Sequence, residues 1–138
     1  MTIIIPESHK DLIEKPIVVT LATMMPDGRP HTTAIWRLYD GRHILFITSR
    51  GLQKERNLQR NPNVSVMALD PGNPYRYLEI RGVVDEIIEE GAVAQLDEIT
   101  RFYTEHPAYY GYVVPADRFG TRTHVICKIR PVKVITRG

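Results

Sequence analysis

Alternating and β-branched apolar positions dominate the first half of the chain. Residues 17–24 form an apolar, β-branched run, and the sequence Pro26-Asp27-Gly28-Arg29 behind it is a turn signal. Residues 31–39 then predict the returning strand of a hairpin. Asp40-Gly41 supplies a second tight turn before a third strand at residues 43–48. The pattern therefore predicts three consecutive antiparallel strands in a meander.

Three more strands are predicted in the second half. They cover residues 64–69, 75–88 and 123–135, and the turn residues at 70–74 join the first two. The last strand alternates apolar with basic side chains, as a half-buried strand does. Gly82 interrupts the long strand, which predicts a β-bulge or a close approach of two backbones there.

Helical patterns are short and few. Residues 7–14 predict a helix that ends before a proline, residues 52–60 predict a second, and residues 91–105 predict an amphipathic third with one buried face. Residues 106–121 are rich in Pro, Gly and Tyr and predict an irregular surface loop. Strands joined by tight turns favour a mainly β fold, here a six-stranded antiparallel barrel with a few short helices.

Composition narrows the class of protein. At 43% hydrophobic and 25% charged, residues 1–138 fit one globular domain with a single core. A formal net charge of +2 is small for a nucleic-acid binder. Residues 1–7 lack the basic region of a signal peptide, and no apolar stretch approaches the roughly 20 residues of a membrane span. Cys127 is the only cysteine, so neither a disulfide nor a Cys/His metal site is expected. We therefore expect a cytoplasmic protein without a metal, nucleic-acid partner or membrane partner.

One stretch of the sequence has the form of an anion site. The third strand ends in Thr48 and Ser49, the chain turns at Gly51, and a helix begins with Lys54 in its first turn. Helix N-termini expose unpaired N–H groups and a positive dipole end, which favour a bound phosphate. A lysine there adds a positive charge. The alternative is that the two hydroxyl residues cap the helix and its basic residues are solvated; the residues alone leave both interpretations open.

Several motifs, taken in order, carry a family resemblance. They are Leu21-Ala22-Thr23, Asp27-Gly28-Arg29-Pro30, Ile35-Trp36, Phe46-Ile47-Thr48, Lys54-Glu55-Arg56-Asn57-Leu58 with Asn61-Pro62, and Asn73-Pro74-Tyr75-Arg76-Tyr77-Leu78-Glu79-Ile80-Arg81-Gly82. No single motif is specific, but their order and spacing resemble the pyridoxamine-5'-phosphate-oxidase-like, FMN-binding split barrels. Within that superfamily they are most similar to the branch of deazaflavin-dependent reductases, which use coenzyme F-420.

The resemblance implies a fold, an assembly and a set of site residues. The fold is a six-stranded split β-barrel that forms a homodimer, with the cofactor in a groove at the subunit interface. By position, the implied cofactor-binding residues are Thr33, Ala34, Ile35, Trp36, Ile47, Thr48, Ser49, Gln53, Lys54, Arg56 and Tyr77. Those at 48–56 correspond to the phosphate site and those at 33–36 to the ring system. Tyr77 stands where flavin-binding relatives often have a glutamine.

The resemblance also implies an activity. We expect an oxidoreductase that transfers a hydride between reduced coenzyme F-420, an 8-hydroxy-5-deazaflavin, and a small unsaturated or quinone-like substrate. Two alternatives are an FMN-binding oxidoreductase and a non-catalytic flavin- or haem-binding module; a scaffold with an empty groove is a third. Oxidation of vitamin B6 is not expected, because Gln53-Lys54 replaces the Arg-Lys pair of the true oxidases and their basic C-terminal segment is missing.

The cofactor carries the redox chemistry in such enzymes, so no catalytic triad is required. The catalytic residues are therefore unknown at this stage. A proton donor, where one is needed, is left open among His31 and the loop tyrosines Tyr109, Tyr110 and Tyr112. Trp36 either stacks near the ring or packs in the core.

Overall fold

A computed structural model describes residues 3–138, so Met1 and Thr2 of the N-terminal run lie outside the described part of the chain. The described residues form one antiparallel sheet of seven strands in the order β2-β1-β5-β6-β7-β4-β3. The strands are β1 Val19–Met24, β2 Pro30–Ile35, β3 Leu38–Tyr39, β4 Ile44–Ser49, β5 Asn63–Asp70, β6 Asn73–Ile88 and β7 His124–Arg137. The sheet curls around its own core, so the predicted mainly β, antiparallel split barrel with a few short helices is confirmed.

Three α-helices accompany the sheet in residues 3–138: α1 Asp11–Glu14, α2 Gln53–Arg60 and α3 Ala92–Tyr103. The helix predicted over residues 7–14 is divided into a 3-10 turn, Glu7–His9, and the single turn of α1. The predicted loop at 106–121 is irregular apart from a 3-10 turn at Ala116–Arg118. Helices α2 and α3 begin and end within two residues of the bounds predicted for them, 52–60 and 91–105.

The strand predicted over residues 31–39 is interrupted at Trp36 and Arg37, so the sheet has seven strands where six were predicted. The Arg37 side chain is fully buried, and its Nη2 donates hydrogen bonds to the carbonyls of Lys15 (2.5 Å) and Ile17 (3.2 Å). β4 pairs with β3 and β7, so the third predicted strand lies beside the end of the second, as the predicted meander requires, but not beside β2. Because β2 and β3 lie at opposite ends of the strand order, the two residues between them link the edges of the curled sheet.

The core fills the inside of the curled sheet. Large apolar side chains from four strands, Leu21, Phe46, Val66 and Ile80 among them, are almost completely buried there. A second, smaller cluster packs α3 against the other face of β4 and β7 through Leu45, Ala92 and Ile126. β4 is therefore covered on both faces, and its carboxyl end leads into the turn before α2.

Gly82 lies at a β-bulge and at a close approach of two backbones, the two features that the sequence predicted as alternatives for it. The register of β6 against β7 shifts between Arg81 and Gly82, which is a β-bulge. A Cβ atom added at Gly82 would lie 2.7 Å from the Arg130 carbonyl oxygen and 2.7 Å from the Ile129 side chain. Only glycine fits where the two backbones approach this closely.

Asn57 fixes α2 to the sheet, and we expect its loss to destabilise the fold. Its side chain is fully buried, donates to Thr23 Oγ1 (3.0 Å) and accepts from Gln53 Nε2 (2.8 Å). Asn57→Ala leaves a buried polar partner unsatisfied and should lower the free energy of unfolding by about 1–3 kcal/mol. Urea unfolding tests this, with Gln59→Ala on the exposed face of α2 as the control. Equal stability of the two variants would contradict the assignment.

Candidate functional site

Two adjoining cavities lie where β4, α2, α3 and the loop before β7 meet. The first has a volume of about 470 Å³ and the second about 330 Å³. The side chains that border both are Ile47, Lys54, Leu96 and Tyr109. The first cavity is also lined by Thr48, Ser49, Leu52, Tyr110, Val114, Pro115, Arg118, Thr121, Arg122 and His124, and the second by Ala34, Ile35, Trp36, Ile99 and Val113. Seven of the eleven cofactor-binding residues predicted from the sequence therefore border one or both cavities, and those are Ala34, Ile35, Trp36, Ile47, Thr48, Ser49 and Lys54.

The turn between β4 and α2 presents the start of the helix to the first cavity. Gly51 has φ +88°, a left-handed conformation that glycine adopts without strain and that turns the chain sharply after the strand. α2 then begins at Gln53 with Leu52 as its N-cap residue, and no side chain caps it. The N–H groups of the first helical turn have no acceptor inside the helix, so they are available to an anion.

Thr48 and Ser49 do not cap this helix. The Thr48 hydroxyl is buried and has no hydrogen-bond partner among residues 3–138, although Thr48 lines the first cavity. The Ser49 hydroxyl lies 3.0 Å from His124 Nδ1 instead. The alternative interpretation, in which the two hydroxyls serve only to cap the helix, is therefore wrong.

Lys54 stands in the first turn of α2 and borders both cavities. Burial lowers the pKa of its ammonium group from the ordinary 10.5. Within the described chain, no carboxylate lies within 4 Å of its Nζ. A half-buried cation without an acidic partner is costly to keep desolvated, and an anionic ligand would offset that cost.

The first cavity is lined by basic side chains and by no acidic one in the described residues. Arg118 and Arg122 reach it from the loop before β7 and join Lys54. Sequence reasoning missed both arginines, because the irregular loop gives no periodic signal for where its side chains point. The lining favours a ligand with negative charge at this end.

Three hydroxyl and imidazole groups form a hydrogen-bonded chain on the wall of the first cavity. Ser49 Oγ lies 3.0 Å from His124 Nδ1, and His124 Nε2 lies 2.5 Å from the Tyr110 hydroxyl. Burial lowers the pKa of His124 and raises the pKa of Tyr110. The pairing of β4 with β7 sets Ser49 directly opposite His124, a contact that nothing in the local sequence indicates.

The second cavity has an apolar and aromatic wall. Ala34, Ile35 and Trp36 supply one side of it, at the end of β2. The Trp36 ring stacks on Tyr103 of α3, with centroids 5.3 Å apart and planes 6° apart. Tyr103 is held in turn by its hydroxyl, which donates to the Ile17 carbonyl at 2.8 Å. Trp36 is thus a fixed cavity wall, and such a surface suits a planar ring system.

Four predicted cofactor residues line neither cavity in this chain. Arg56 donates to the Gly51 carbonyl (2.9 Å) and to Gln53 Oε1 (2.6 Å), so these two side chains brace the turn before α2. Thr33 lies on β2, and its buried hydroxyl oxygen has no hydrogen-bond partner among residues 3–138; Tyr77 lies on β6 opposite Leu69.

Comparison with known proteins assigns the family. The family model described as pyridoxamine 5'-phosphate oxidase matches residues 5–137. The chain belongs to the pyridoxamine 5'-phosphate oxidase family. A solved F-420 reductase is similar to this family member with a TM-score of 0.82 and 36% identity, over 95% of this chain and 98% of the reductase. A conserved hypothetical protein from Mycobacterium tuberculosis is similar with a TM-score of 0.75 and 29% identity, over 98% of this chain and 86% of that one.

A curated relative points to the same family. A pyridoxine/pyridoxamine 5'-phosphate oxidase from Rubrobacter xylanophilus is 32% identical over 77 residues, which are 55% of this chain and 35% of that enzyme. The match thus spans about a third of the length of the curated oxidase. The named relatives include an oxidase and a reductase, and oxidoreductase activity is what the sequence predicts for this chain. No helix in residues 3–138 has the length and apolar character needed to cross a membrane.

Proposed function

We propose that this oxidoreductase transfers a hydride between reduced coenzyme F-420 and a small unsaturated or quinone-like molecule. The observation that carries the proposal is the Lys54 ammonium group, which has no acidic partner within 4 Å in residues 3–138 and faces a basic cavity that continues into an aromatic-walled one. A cofactor with a phosphate at one end and a planar ring at the other fits this order. The similarity to an F-420 reductase at 36% identity supports the deazaflavin.

The first cavity offers what a phosphate group needs. Lys54 supplies a positive charge, the start of α2 supplies N–H groups, and Thr48 supplies a buried hydroxyl that lacks a partner in the described chain. We infer that these groups, with Ser49 beside them, hold the cofactor's phosphate. An unsatisfied buried hydroxyl is unfavourable by itself, and a ligand oxygen would satisfy it.

The second cavity offers what a ring system needs. Ile35, Trp36 and Ile47 present apolar surface along the path from Lys54, and Ala34 allows close approach because it is small. When bound, the coenzyme supplies the hydride. The chain's part is to orient the ring, to exclude water from its reactive edge and to leave room for a substrate beside it.

We also propose a cytoplasmic homodimer with the cofactor between the subunits. Tyr75 is 84% exposed and Leu69 is 46% exposed, at the same end of the β5–β6 hairpin. Exposed apolar side chains that lie together are typical of surfaces that a second molecule covers. Tyr77, close to them on β6, would then contact the cofactor only across such an interface.

FMN is the second candidate cofactor. The family model is that of pyridoxamine 5'-phosphate oxidase, and the phosphate of FMN requires the same charge and N–H groups as that of the deazaflavin. In that case the protein is an FMN-dependent oxidoreductase with the ring in the same cavity.

Cofactor binding should depend on pH through Lys54. The lowered pKa means that the ammonium group loses its proton at a lower pH than an ordinary lysine. Affinity should therefore fall as the pH rises through the lowered pKa of Lys54. Lys54→Arg keeps its charge at alkaline pH and should not show the decline. Titrations of both proteins with the cofactor between about pH 7 and pH 10 test this. The same dependence of affinity on pH in wild type and Lys54→Arg would contradict it.

The activity itself is tested by oxidation of the reduced coenzyme. Protein loaded with reduced F-420 is mixed with menadione as a quinone probe or 2-cyclohexen-1-one as an unsaturated probe, and the return of the oxidised coenzyme's absorbance is followed. We expect probe-dependent oxidation well above that of free coenzyme. Tight binding without any acceleration by either probe would favour a carrier over a reductase.

A further inference from the structure

We propose that Tyr110 and His124 are positioning residues of the phosphate site, which orient the Ser49 hydroxyl so that it donates a hydrogen bond to the cofactor's phosphate. The proposal rests on the proposed function, in which Ser49 lies beside that phosphate. An ionised phosphate oxygen only accepts hydrogen bonds. A serine hydroxyl has a single proton, so it binds phosphate in this way only when no neighbouring acceptor takes that proton.

The three side chains come from separate elements and meet on the wall of the first cavity. Ser49 ends β4, His124 begins β7 and Tyr110 belongs to the loop between α3 and β7. Ser49 Oγ lies 3.0 Å from His124 Nδ1, and the Tyr110 hydroxyl lies 2.5 Å from His124 Nε2. All three residues line the cavity that holds the start of α2 and Lys54. The imidazole therefore connects Tyr110 with Ser49 through both of its ring nitrogens.

The position of the imidazole proton decides what Ser49 can offer a ligand. With the proton on Nε2, His124 Nδ1 is an acceptor and takes the Ser49 hydroxyl proton. With the proton on Nδ1, His124 donates to Ser49 Oγ instead, and the hydroxyl proton is released from this contact. No second partner of Ser49 Oγ lies within hydrogen-bond distance among residues 3–138, so the released proton is available to a ligand in the cavity.

Tyr110 selects the tautomer that releases Ser49. A phenol has an ordinary pKa of about 10 and is a far stronger hydrogen-bond donor than an aliphatic hydroxyl, whereas an unprotonated imidazole nitrogen is a good acceptor. The contact of His124 with Tyr110 is also the shorter of its two side-chain contacts. When the Tyr110 hydroxyl donates to Nε2, the ring proton must lie on Nδ1. Tyr110 thus controls the direction of the Ser49 hydroxyl without touching it.

The groups around His124 leave its imidazole neutral at pH 7. Burial lowers the pKa of His124 from the ordinary 6.5, and the positive charge of Arg122 adds to this shift, while the backbone of Thr48 opposes it. Burial raises the pKa of Tyr110, so the phenol keeps its proton. The other titratable side chains on the same cavity wall are Lys54, Tyr109 and Arg118. His124 therefore acts at neutral pH by orienting Ser49 and not by its own charge.

This role differs from that of the proton donor which the sequence left open among His31 and the loop tyrosines. Tyr110 lines only the cavity assigned to the phosphate, and His31 and Tyr112 line neither cavity. Tyr109 borders both cavities. The source of a proton for the substrate therefore stays a prediction, and the place of Tyr110 is at the phosphate.

A double-mutant cycle tests whether Tyr110 acts through Ser49. Tyr110→Phe should weaken F-420 binding by about 2- to 10-fold, the range for one neutral hydrogen bond, and Ser49→Ala should weaken it by a similar factor. Because both changes remove the same donor, Tyr110→Phe should have no further effect in the Ser49→Ala background. Isothermal titration with F-420 measures the four affinities. Losses that multiply in the double variant would overturn the proposal.

Tyr112→Phe is the matched control for the loss of a phenol from the loop. Tyr112 is 55% exposed and lines neither cavity, so this variant should bind F-420 like the wild type. An equal loss of affinity in Tyr110→Phe and Tyr112→Phe would come from a general disturbance of the loop and would contradict the specific role of Tyr110.

The tautomer of His124 is measured on the apoprotein, without any cofactor. In long-range ¹H–¹⁵N spectra at pH 8, the neutral His124 ring should carry its proton on Nδ1, and the fraction with the proton on Nε2 should rise in Tyr110→Phe. A merely structural role for Tyr110 would leave this equilibrium unchanged. A wild-type ring protonated on Nε2, or the same tautomer fractions in both proteins, would overturn the proposal.

The affinity of the two proteins at lower pH gives a second signature. Once His124 is protonated, Nδ1 donates to Ser49 whether or not Tyr110 is present. The ratio of the F-420 affinities of wild type and Tyr110→Phe should therefore be largest near pH 8 and should approach 1 as the pH falls through the pKa of His124, below its ordinary 6.5. Both proteins meet the same ligand at each pH, so any titration of the ligand cancels. A constant ratio while the spectra show His124 becoming protonated would argue against the mechanism.

Failure of the proposed function has a different outcome. A wild type that does not bind F-420, although His124 carries its proton on Nδ1, would count against the assignment of the cofactor. A wild type that binds F-420 as tightly as Tyr110→Phe would overturn the role of Tyr110 and His124 and leave the assignment of the cofactor standing.

Discussion

Replacing Lys54 by alanine is expected to weaken cofactor binding by about 10- to 150-fold. The ammonium group borders both cavities, and no carboxylate lies within 4 Å of it in the described chain. A hydrogen bond between charged groups contributes about 1.5–3 kcal/mol, which sets the size of the effect. Isothermal titration of wild type and Lys54→Ala with F-420 measures the change.

A matched lysine outside the site provides the control. Lys133 lies exposed on β7, and Lys133→Ala removes the same charge from the protein. Lys133→Ala should bind the cofactor like the wild type, and both variants should keep the wild-type circular dichroism spectrum. If the two variants lose affinity equally, the loss comes from the lower net charge of the protein, and the proposed contact between Lys54 and the phosphate is contradicted.

Replacing Gly82 by alanine should lower the free energy of unfolding by about 1–3 kcal/mol, with the upper end favoured because the clash involves backbone. The added Cβ would lie 2.7 Å from the Arg130 carbonyl oxygen, in the middle of the β6–β7 pairing. Neither backbone can move without disturbing the longest strand pair of the sheet. Urea unfolding monitored by Trp36 fluorescence measures the loss.

Gly72→Ala is the matched control for this change. A Cβ at Gly72 meets only Asp70 Oδ1 at 3.5 Å, an ordinary van der Waals distance. Substitution at such a position leaves stability unchanged or raises it slightly, because it restricts the unfolded chain. A Gly82→Ala variant as stable as Gly72→Ala would show that the sheet tolerates a side chain at the bulge.

Local patterns were sufficient to predict most of the fold. Turn residues and apolar alternation placed the hairpin of β1 and β2 and the long strand β6, and Gly82 marked its bulge. These features depend on residues that are close together in the chain, so the sequence near each one carries its signal.

Arg37 shows where local patterns fail. An arginine in an apparent strand gives no hint that it is buried or that it bonds to the carbonyls of Lys15 and Ile17. Arg37 lies at the break that divides the predicted strand into β2 and β3, and of these two parts β4 pairs with β3. Both hairpins of the predicted meander are present, but the break between β2 and β3 was not predictable, because it lies at a tertiary contact and not at a local turn signal.

The residues of the candidate site also fall into those that the local sequence predicts and those that it does not. Lys54 and the turn at Gly51 were predictable because strand, glycine and helix start are consecutive in the sequence. His124 was not, because it lies 75 residues from Ser49 and meets it only through the pairing of β4 with β7. Arg56 and Gln53 were predicted as phosphate ligands by position; in the structure each contacts the other, and their role at the cofactor stays a prediction.

A paired fluorescence titration of the purified protein with F-420 and with FMN is the most direct test of whether this family member uses a deazaflavin, as we propose. We expect F-420 to bind more tightly than FMN and Lys54→Ala to weaken the binding of F-420. Tighter binding of FMN would contradict the choice of cofactor, and binding of neither would contradict the site.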